Sequence, residues 1–182
     1  MTAADGRSMG VAQWGDPGGT PVLSLHGTPG SRLRRPPNEE AVCQAGINLV
    51  TYDRPGYGVS DRAAGRRVVD CVGDVEAIVD ALGISRFAVT GHSGGGPHAL
   101  AVAARLPDRV AQAECVVGVA PTADPAKVFS DDWQLADNDR QLLARPDVQL
   151  VLVEMMGEAF RPGVWGWVDD DLAFLRARGA ST

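Results

Sequence analysis

The sequence has 182 residues, a formal net charge of −6 and an apolar share of 45%. This length fits one domain, and a charged share of 22% is that of a globular protein rather than of a disordered chain. The acidic balance argues against electrostatic binding of nucleic acid, and no apolar stretch approaches the ~20 residues that cross a bilayer.

Short apolar runs alternate with helical patterns through the first 120 residues, which is typical of βαβ units around a mostly parallel sheet. Strands are predicted over residues 9–14, 22–25, 47–52, 87–90 and 113–119. Helices are predicted over residues 38–45, 68–82 and 97–106. The helix over 68–82 has the clearest pattern, because its apolar residues recur on one face and Gly83 follows it. The sequence therefore predicts an α/β core over residues 1–123.

The pattern changes after Pro121, where prolines separate segments with helical periodicity. Helices are predicted over residues 130–144, 147–159 and 169–178. The β-branched run 148–153 also fits a strand. We interpret the three aspartates at 169–171 as acids that favour the positive end of the last helix, rather than as metal ligands. Residues 124–182 are therefore predicted to form a helical cap region over the sheet.

The strand over 87–90 leads into the segment GHSGG at 91–95, which matches the pattern G-x-S-x-G. In that pattern a serine sits on a sharp strand-to-helix turn, so that its hydroxyl projects above the sheet. Glycine is needed beside the serine on steric grounds, because Cβ atoms there would collide with the adjoining strand and helix. Two other interpretations stay open: a tight turn without chemistry, and a phosphate site at the helix N-terminus. The second is disfavoured because the segment lacks the P-loop lysine and the GxGxxG spacing.

Two further glycine-rich loops follow predicted strands, HGTPG at 26–30 and DRPGYG at 53–58. A loop at 26–30 is placed to aim a backbone N–H at the oxygen of a carbonyl that Ser93 would attack. Together with GHSGGG at 91–96, these loops resemble the α/β-hydrolase fold family. The resemblance is closest to its serine-nucleophile branch of esterases, proline iminopeptidases and haloperoxidase-like enzymes.

The resemblance implies a reaction and its residues. Ser93 would be the nucleophile that forms an acyl-enzyme, and the backbone N–H groups of Thr28 and Gly94 would form the oxyanion hole. The implied substrate is a small ester or amide, and no cofactor or metal is implied. Serine at position 93 argues against the dehalogenase and epoxide hydrolase branches, whose nucleophile is a carboxylate. Asp53 and Arg54 are expected to form a structural turn rather than to take part in catalysis.

A serine nucleophile needs a base, and the sequence has only three histidines, His26, His92 and His98. We expect His26 to brace its loop, His92 to point away from the serine hydroxyl, and His98 to serve in helix packing or at the surface. The resemblance places the acid and then the base after the nucleophile, and Asp124 occupies a position that some family members use for the acid. The chain is therefore expected to end before the base and the last strands of the family's sheet.

Two functions follow as alternatives: a serine hydrolase acting through Ser93, or a catalytically incompetent fragment or binding module that keeps a hydrolase pocket. If the sheet ends at the strand over 113–119, its exposed edge favours self-association. The three cysteines (Cys43, Cys71 and Cys115) are scattered, and the N-terminus lacks a signal-peptide pattern, which predicts a cytoplasmic protein with reduced thiols.

Overall fold

The computed structural model describes residues 1–118 and 141–176, and the strands among them form one five-stranded sheet. The strands are β1 (Val11–Gly15), β2 (Thr20–Leu25), β3 (Ile47–Tyr52), β4 (Phe87–His92) and β5 (Val110–Val116). They lie in the order β1-β3-β2-β4-β5. The β1 strand is antiparallel to β3, and every other pair is parallel. The carboxyl ends of β2, β3 and β4 therefore meet at one edge of the sheet, and the three glycine-rich loops begin there.

The described helices are α1 (Glu39–Gln44), α2 (Cys71–Ala81), α3 (Gly95–Arg105), α4 (Pro146–Ala159) and α5 (Trp165–Arg176). Asn38 caps α1 by accepting a hydrogen bond from the Ala41 amide at 3.2 Å, and a 3-10 turn over Val68–Asp70 leads into α2. No helix in the described part of the chain has the length and apolar character needed to cross a membrane.

The hydrophobic core lies between the sheet and helices α2 and α3. The fully or almost fully buried apolar side chains are those of Leu23, Leu25, Val50, Val75, Ile78, Val79, Val89, Ala99 and Val102. The members from α2 belong to the apolar face that the sequence pattern predicts, so the 3.6-residue period identified the buried side correctly.

The α/β fold predicted from the sequence is confirmed, with small shifts of its elements. The strand predicted over 113–119 begins earlier, at Val110, because Val110 already pairs with Phe87 across the sheet. The strand alternative for 148–153 is wrong, since α4 runs through it. Most of the helix predicted over 130–144 lies outside the described residues.

The last helix corrects the interpretation of the three acids at 169–171. The α5 helix begins at Trp165, four residues before the predicted start, so the acids lie in its second turn. Asp169 and Asp170 are buried at 4% and 0% exposure and form ion pairs with Arg62 and Arg54. They anchor the side of the helix rather than cap its end.

Candidate active site

Ser93 occupies a sharp turn between β4 and α3. Its backbone has φ +51°, a left-handed conformation that is strained for any residue with a side chain. The strain is held by the surroundings, because the Ser93 amide donates to Val116 O at 2.9 Å and its carbonyl accepts from the Gly96 amide at 2.9 Å. The side chain is half-buried. The geometry is that of the strand-turn-helix predicted from the motif.

The glycines beside Ser93 allow two backbones to approach closely. A Cβ atom on Gly91 would run into the carbonyl of Gly95, and one on Gly95 would run into the carbonyl oxygens of Leu25 and His26. Both obstacles are backbone atoms, which do not move aside. Only glycine therefore lets the start of α3 lie against the end of β2.

The loop at 26–30 lies directly against this turn. A Cβ atom on Gly94 would come within 3.1 Å of the Thr28 amide nitrogen, and one on Gly27 would come within 3.5 Å of the Ser93 Cβ. The structure thus brings together Ser93, Thr28 and Gly94, the three residues that the resemblance pointed to. Their roles in a reaction stay predictions.

Arg54 holds the loop from its inner side. It is fully buried, and its guanidinium donates to His26 O, to Gly27 O at 3.1 Å and to the Thr28 hydroxyl at 2.8 Å. The expectation that Asp53 and Arg54 form a structural turn agrees with these contacts. Asp53 is also fully buried, and accepts from the amides of Arg32 at 2.6 Å and Val59 at 3.1 Å.

Asp170 of α5 supplies the countercharge for Arg54. Its Oδ2 accepts from Arg54 Nη2 at 2.6 Å, from the Tyr57 hydroxyl at 3.0 Å and from the Thr28 hydroxyl at 3.0 Å. Burial alone would raise the pKa of Asp170, but the Arg54 guanidinium holds it well below its usual range. The carboxylate is therefore ionised beside the candidate oxyanion loop.

His26 uses both of its ring nitrogens within the loop. Its Nδ1 donates to Gly27 O at 2.7 Å, and its Nε2 accepts from the Arg54 amide at 3.1 Å. Burial, and then the nearby Arg54 cation, lower the pKa of His26 well below its usual value. The ring is neutral and braces the loop, and neither nitrogen is left to take a proton from Ser93.

His98 is fully buried, so the expectation of helix packing fits and a surface position is excluded. Its Nδ1 donates to Gly94 O at 2.9 Å, while its Nε2 lies 4.0 Å from Asp170 Oδ1. Within the described residues, His98 Nε2 and Asp170 Oδ1 have no hydrogen-bond partner. Burial, and then Arg54, lower the pKa of His98 to about 3, so this ring is neutral as well.

His92 lies beside the same loop. It is half-buried, and its Nδ1 would meet a Cβ atom on Gly27 at 3.4 Å. Burial, and then Arg34, lower its pKa. Among the hydrogen bonds of residues 1–118 and 141–176, none joins a histidine to the Ser93 hydroxyl. The candidate acid Asp124 lies outside the described residues.

The sequence reasoning missed Asp170, and the signal for it is a stripe on α5. Buried positions recur at i, i+3, i+4 and i+7 and are small or acidic: Gly166, Asp169, Asp170 and Ala173. The large apolar residues of the same helix are exposed, with Trp165 at 54% and Leu175 at 46%. Acidic and small residues recur here at helical spacing, and the chain has arginines near its loops. This pattern indicates that the buried side of the helix pairs with cations.

Comparison with known proteins supports a family assignment. The family model described as alpha/beta hydrolase fold matches residues 20–157. A non-heme chloroperoxidase from Streptomyces lividans is 34% identical over 123 residues, which are 66% of this chain and 45% of that protein. Epoxide hydrolase B from Mycobacterium tuberculosis is 36% identical over 107 residues, which are 57% of this chain and 29% of that protein. The chain thus spans less than half the length of these relatives.

The fold is also found among solved structures. A carboxylesterase structure from the thaumarchaeon Nitrososphaera gargenis superposes with a TM-score of 0.73, covering 96% of this chain and 71% of that one. The sequences are 18% identical, so this likeness shows a shared fold.

Proposed function

The chain belongs to the α/β-hydrolase fold family, and on that premise we propose that it carries the nucleophile and the oxyanion hole of a serine hydrolase acting on a small ester or amide. One observation carries the proposal. Ser93 adopts a left-handed backbone at the turn into α3, with the Thr28 and Gly94 backbones packed beside it. This packing supports the proposal, because acyl transfer requires a nucleophile with N–H donors close beside it.

The proposed reaction begins when Ser93 Oγ attacks the carbonyl carbon of the substrate. A C–O bond forms, and the carbonyl electron pair moves onto oxygen, where the N–H groups of Thr28 and Gly94 donate to it. Collapse of this intermediate expels the alcohol or amine, which takes up a proton, and leaves an acyl-serine. Water then attacks the acyl carbon, the bond to Ser93 Oγ breaks, the carboxylic acid leaves, and Oγ takes back a proton as the hydroxyl.

The proton on Ser93 must pass to a base for this attack to be fast. The contacts of His26 and His98 engage those rings in the loop and helix, and both are neutral with lowered pKa values. None of the described hydrogen bonds joins His26, His92 or His98 to the Ser93 hydroxyl, so the proposal assigns the nucleophile and oxyanion stabilisation to the described residues and the proton acceptor to a group outside them. Serine at position 93 separates this mechanism from one with a carboxylate nucleophile, despite the similarity to an epoxide hydrolase.

The competing function is a binding module that keeps the pocket and does not turn over substrate. The observation that favours it is that none of the described hydrogen bonds joins a histidine to the Ser93 hydroxyl. The two functions differ in whether Ser93 is more reactive than an ordinary serine, and this difference is measurable on the chain as it stands.

Labelling with a fluorophosphonate probe tests the proposal. We expect intact-mass spectrometry to show one adduct on the folded chain, placed on Ser93 by peptide mapping and absent from Ser93→Ala. Ser85→Ala is the matched control, because Ser85 is exposed and precedes β4, at the opposite end of that strand from Ser93. It should keep the adduct. An unlabelled but cooperatively folded chain would contradict the proposal and favour the binding module.

A further inference from the structure

We propose that Asp170 is a positioning residue that aims the oxyanion donor Thr28, so that helix α5 and the oxyanion loop form one unit. The inference deepens the proposed function and rests on it for its consequence in catalysis. Its structural part, the control of the Thr28 amide by a carboxylate on α5, is measurable without any reaction.

The first step is the direction of the Thr28 amide. In a trans peptide the C=O and the following N–H point to opposite sides of the same plane. The Gly27 carbonyl points inward, where it accepts from Arg54 Nη2 at 3.1 Å and from His26 Nδ1 at 2.7 Å. The Thr28 N–H, in the same peptide plane, is thereby turned away from Arg54. Fixing the Gly27 carbonyl therefore fixes the proposed oxyanion donor.

The second step is what keeps Arg54 in place. Its guanidinium is fully buried, and a buried cation is stable only with a partner that offsets the loss of hydration. Asp170 is that partner, with Nη2 and Oδ2 at 2.6 Å. Removing the carboxylate would leave an uncompensated charge among the carbonyls of the loop, and the guanidinium would be driven toward solvent.

The third step is a direct bond from Asp170 to the loop. The Thr28 hydroxyl accepts from Arg54 at 2.8 Å and donates to Asp170 at 3.0 Å, so both charged groups hold the same side chain. The Tyr57 hydroxyl donates to the same carboxylate oxygen at 3.0 Å and limits its movement. Thr28 is thus fixed through its side chain and through the preceding carbonyl.

Asp169 provides a matched comparison on the same helix. It is buried and pairs with Arg62 at 2.6 Å, so it also docks α5. Its described hydrogen bonds go to Arg62 alone, and not to residues 26–30. If α5 matters only as a docked helix, replacing either acid should have the same effect on the loop. If Asp170 positions Thr28, only its replacement should disturb the loop.

The test measures backbone ¹⁵N relaxation by NMR and fluorophosphonate labelling on the full chain and on the variants Asp170→Asn and Asp169→Asn. We expect Asp170→Asn to lower the order parameter of the Thr28 N–H from a rigid value of about 0.85 to below about 0.6, and to lower the maximal labelling rate at least tenfold, with little change in the probe concentration for half-maximal rate. Asp169→Asn should leave the Thr28 order parameter unchanged and the labelling rate within about threefold of wild type. Equal effects of the two variants would overturn the proposal.

A second variant covers the case in which Asp170→Asn does not fold. Arg54→Lys keeps the charge beside Asp170 but loses the planar fork that reaches the loop carbonyls. We expect the same loss of order at the Thr28 N–H, and an unchanged Thr28 order parameter in Arg54→Lys would contradict the inference. If the wild-type chain is not labelled, the proposed function fails while the relaxation results still decide the role of Asp170.

Discussion

At the scale of single residues, the buried histidines show how environment sets chemistry. His26 and His98 are fully buried and lie near the Arg54 cation, and both effects disfavour a charged ring. Each ring instead donates one hydrogen bond to a backbone carbonyl, that of Gly27 or Gly94. These histidines stabilise the loops in the neutral form only.

This arrangement predicts a loss of stability in mild acid. The pKa of His98 is about 3 in the folded chain and about 6.5 when unfolded. Between these pH values the unfolded state therefore binds a proton that the folded state does not bind. Stability from this group is complete above pH 6.5 and falls as the pH drops toward 3, by up to about 1.4 kcal/mol per pH unit. Urea unfolding between pH 7.5 and 4.5 measures the slope.

The variant His98→Asn isolates this contribution. An asparagine keeps an N–H donor but cannot take up a proton in this range. The free energy of unfolding of this variant should therefore fall less steeply as the pH drops, with a slope smaller by the uptake of about one proton. His92→Asn is the comparison, because His92 is only half-buried and should change the slope less. Equal slopes in wild type and His98→Asn would show that His98 is not held neutral by the fold.

At the residue scale, the sequence predicted the positions of residues that belong to a local pattern, while their roles in a reaction stay predictions. Ser93, Thr28 and Gly94 lie together in the structure because each belongs to a short motif at the carboxyl end of a parallel strand. Asp170 was missed because its partner Arg54 lies 116 positions away, and no local pattern reports such a contact. The buried state of His98 likewise depends on packing that the helix sequence alone does not specify.

At the scale of elements, the strands and helices were predictable, including a helix that overlaps α5, but the start of α5 and the side that it buries were not. Alternation and the 3.6-residue period reflect which side of an element faces apolar neighbours, and α2 follows that rule. The inner side of α5 instead faces arginines and a close backbone, so its buried residues are small or acidic. The β-branched residues of α4 fitted a strand by propensity, but Pro146 at the first turn and a helix through Ala159 outweigh that preference.

The close approach of α5 to the turn after β3 gives a prediction at this scale. A Cβ atom on Gly166 would lie 2.7 Å from the backbone carbon of Gly56 and 3.0 Å from the Tyr57 ring. We expect Gly166→Ala to push α5 outward and to lower the free energy of unfolding by about 1–3 kcal/mol. Urea titration followed by circular dichroism measures the change.

Gly157→Ala is the matched control in the neighbouring helix. An added Cβ at Gly157 meets nothing within 4 Å, and this position of α4 is exposed. Alanine there should raise the free energy of unfolding by up to about 1 kcal/mol through helix propensity. A stabilising effect of Gly166→Ala would mean that α5 does not pack on Gly56 as described.

At the scale of the whole molecule, the described surface has an exposed strand and a set of exposed apolar side chains on two helices. In the described sheet β5 pairs with β4 on one side only, and its residues after Val110 are exposed. The outer sides of α4 and α5 expose large apolar residues, among them Leu150 at 60% and Val153 at 70%. An open strand edge offers backbone groups to another strand, and contiguous apolar surface favours association.

We therefore expect the 182-residue chain to self-associate through β5. In sedimentation velocity its weight-average mass should rise with concentration, and Val116→Lys should shift the chain toward monomer, because a lysine on the edge strand of the described sheet opposes edge pairing. Val116 is 39% exposed at the end of β5.

Leu100→Lys is the matched control, since Leu100 is 54% exposed on α3 rather than on the sheet edge. This variant should associate as wild type does. If both variants dissociate equally, general surface hydrophobicity drives association. A wild-type chain that stays monomeric and melts cooperatively would show that the edge is not an association surface.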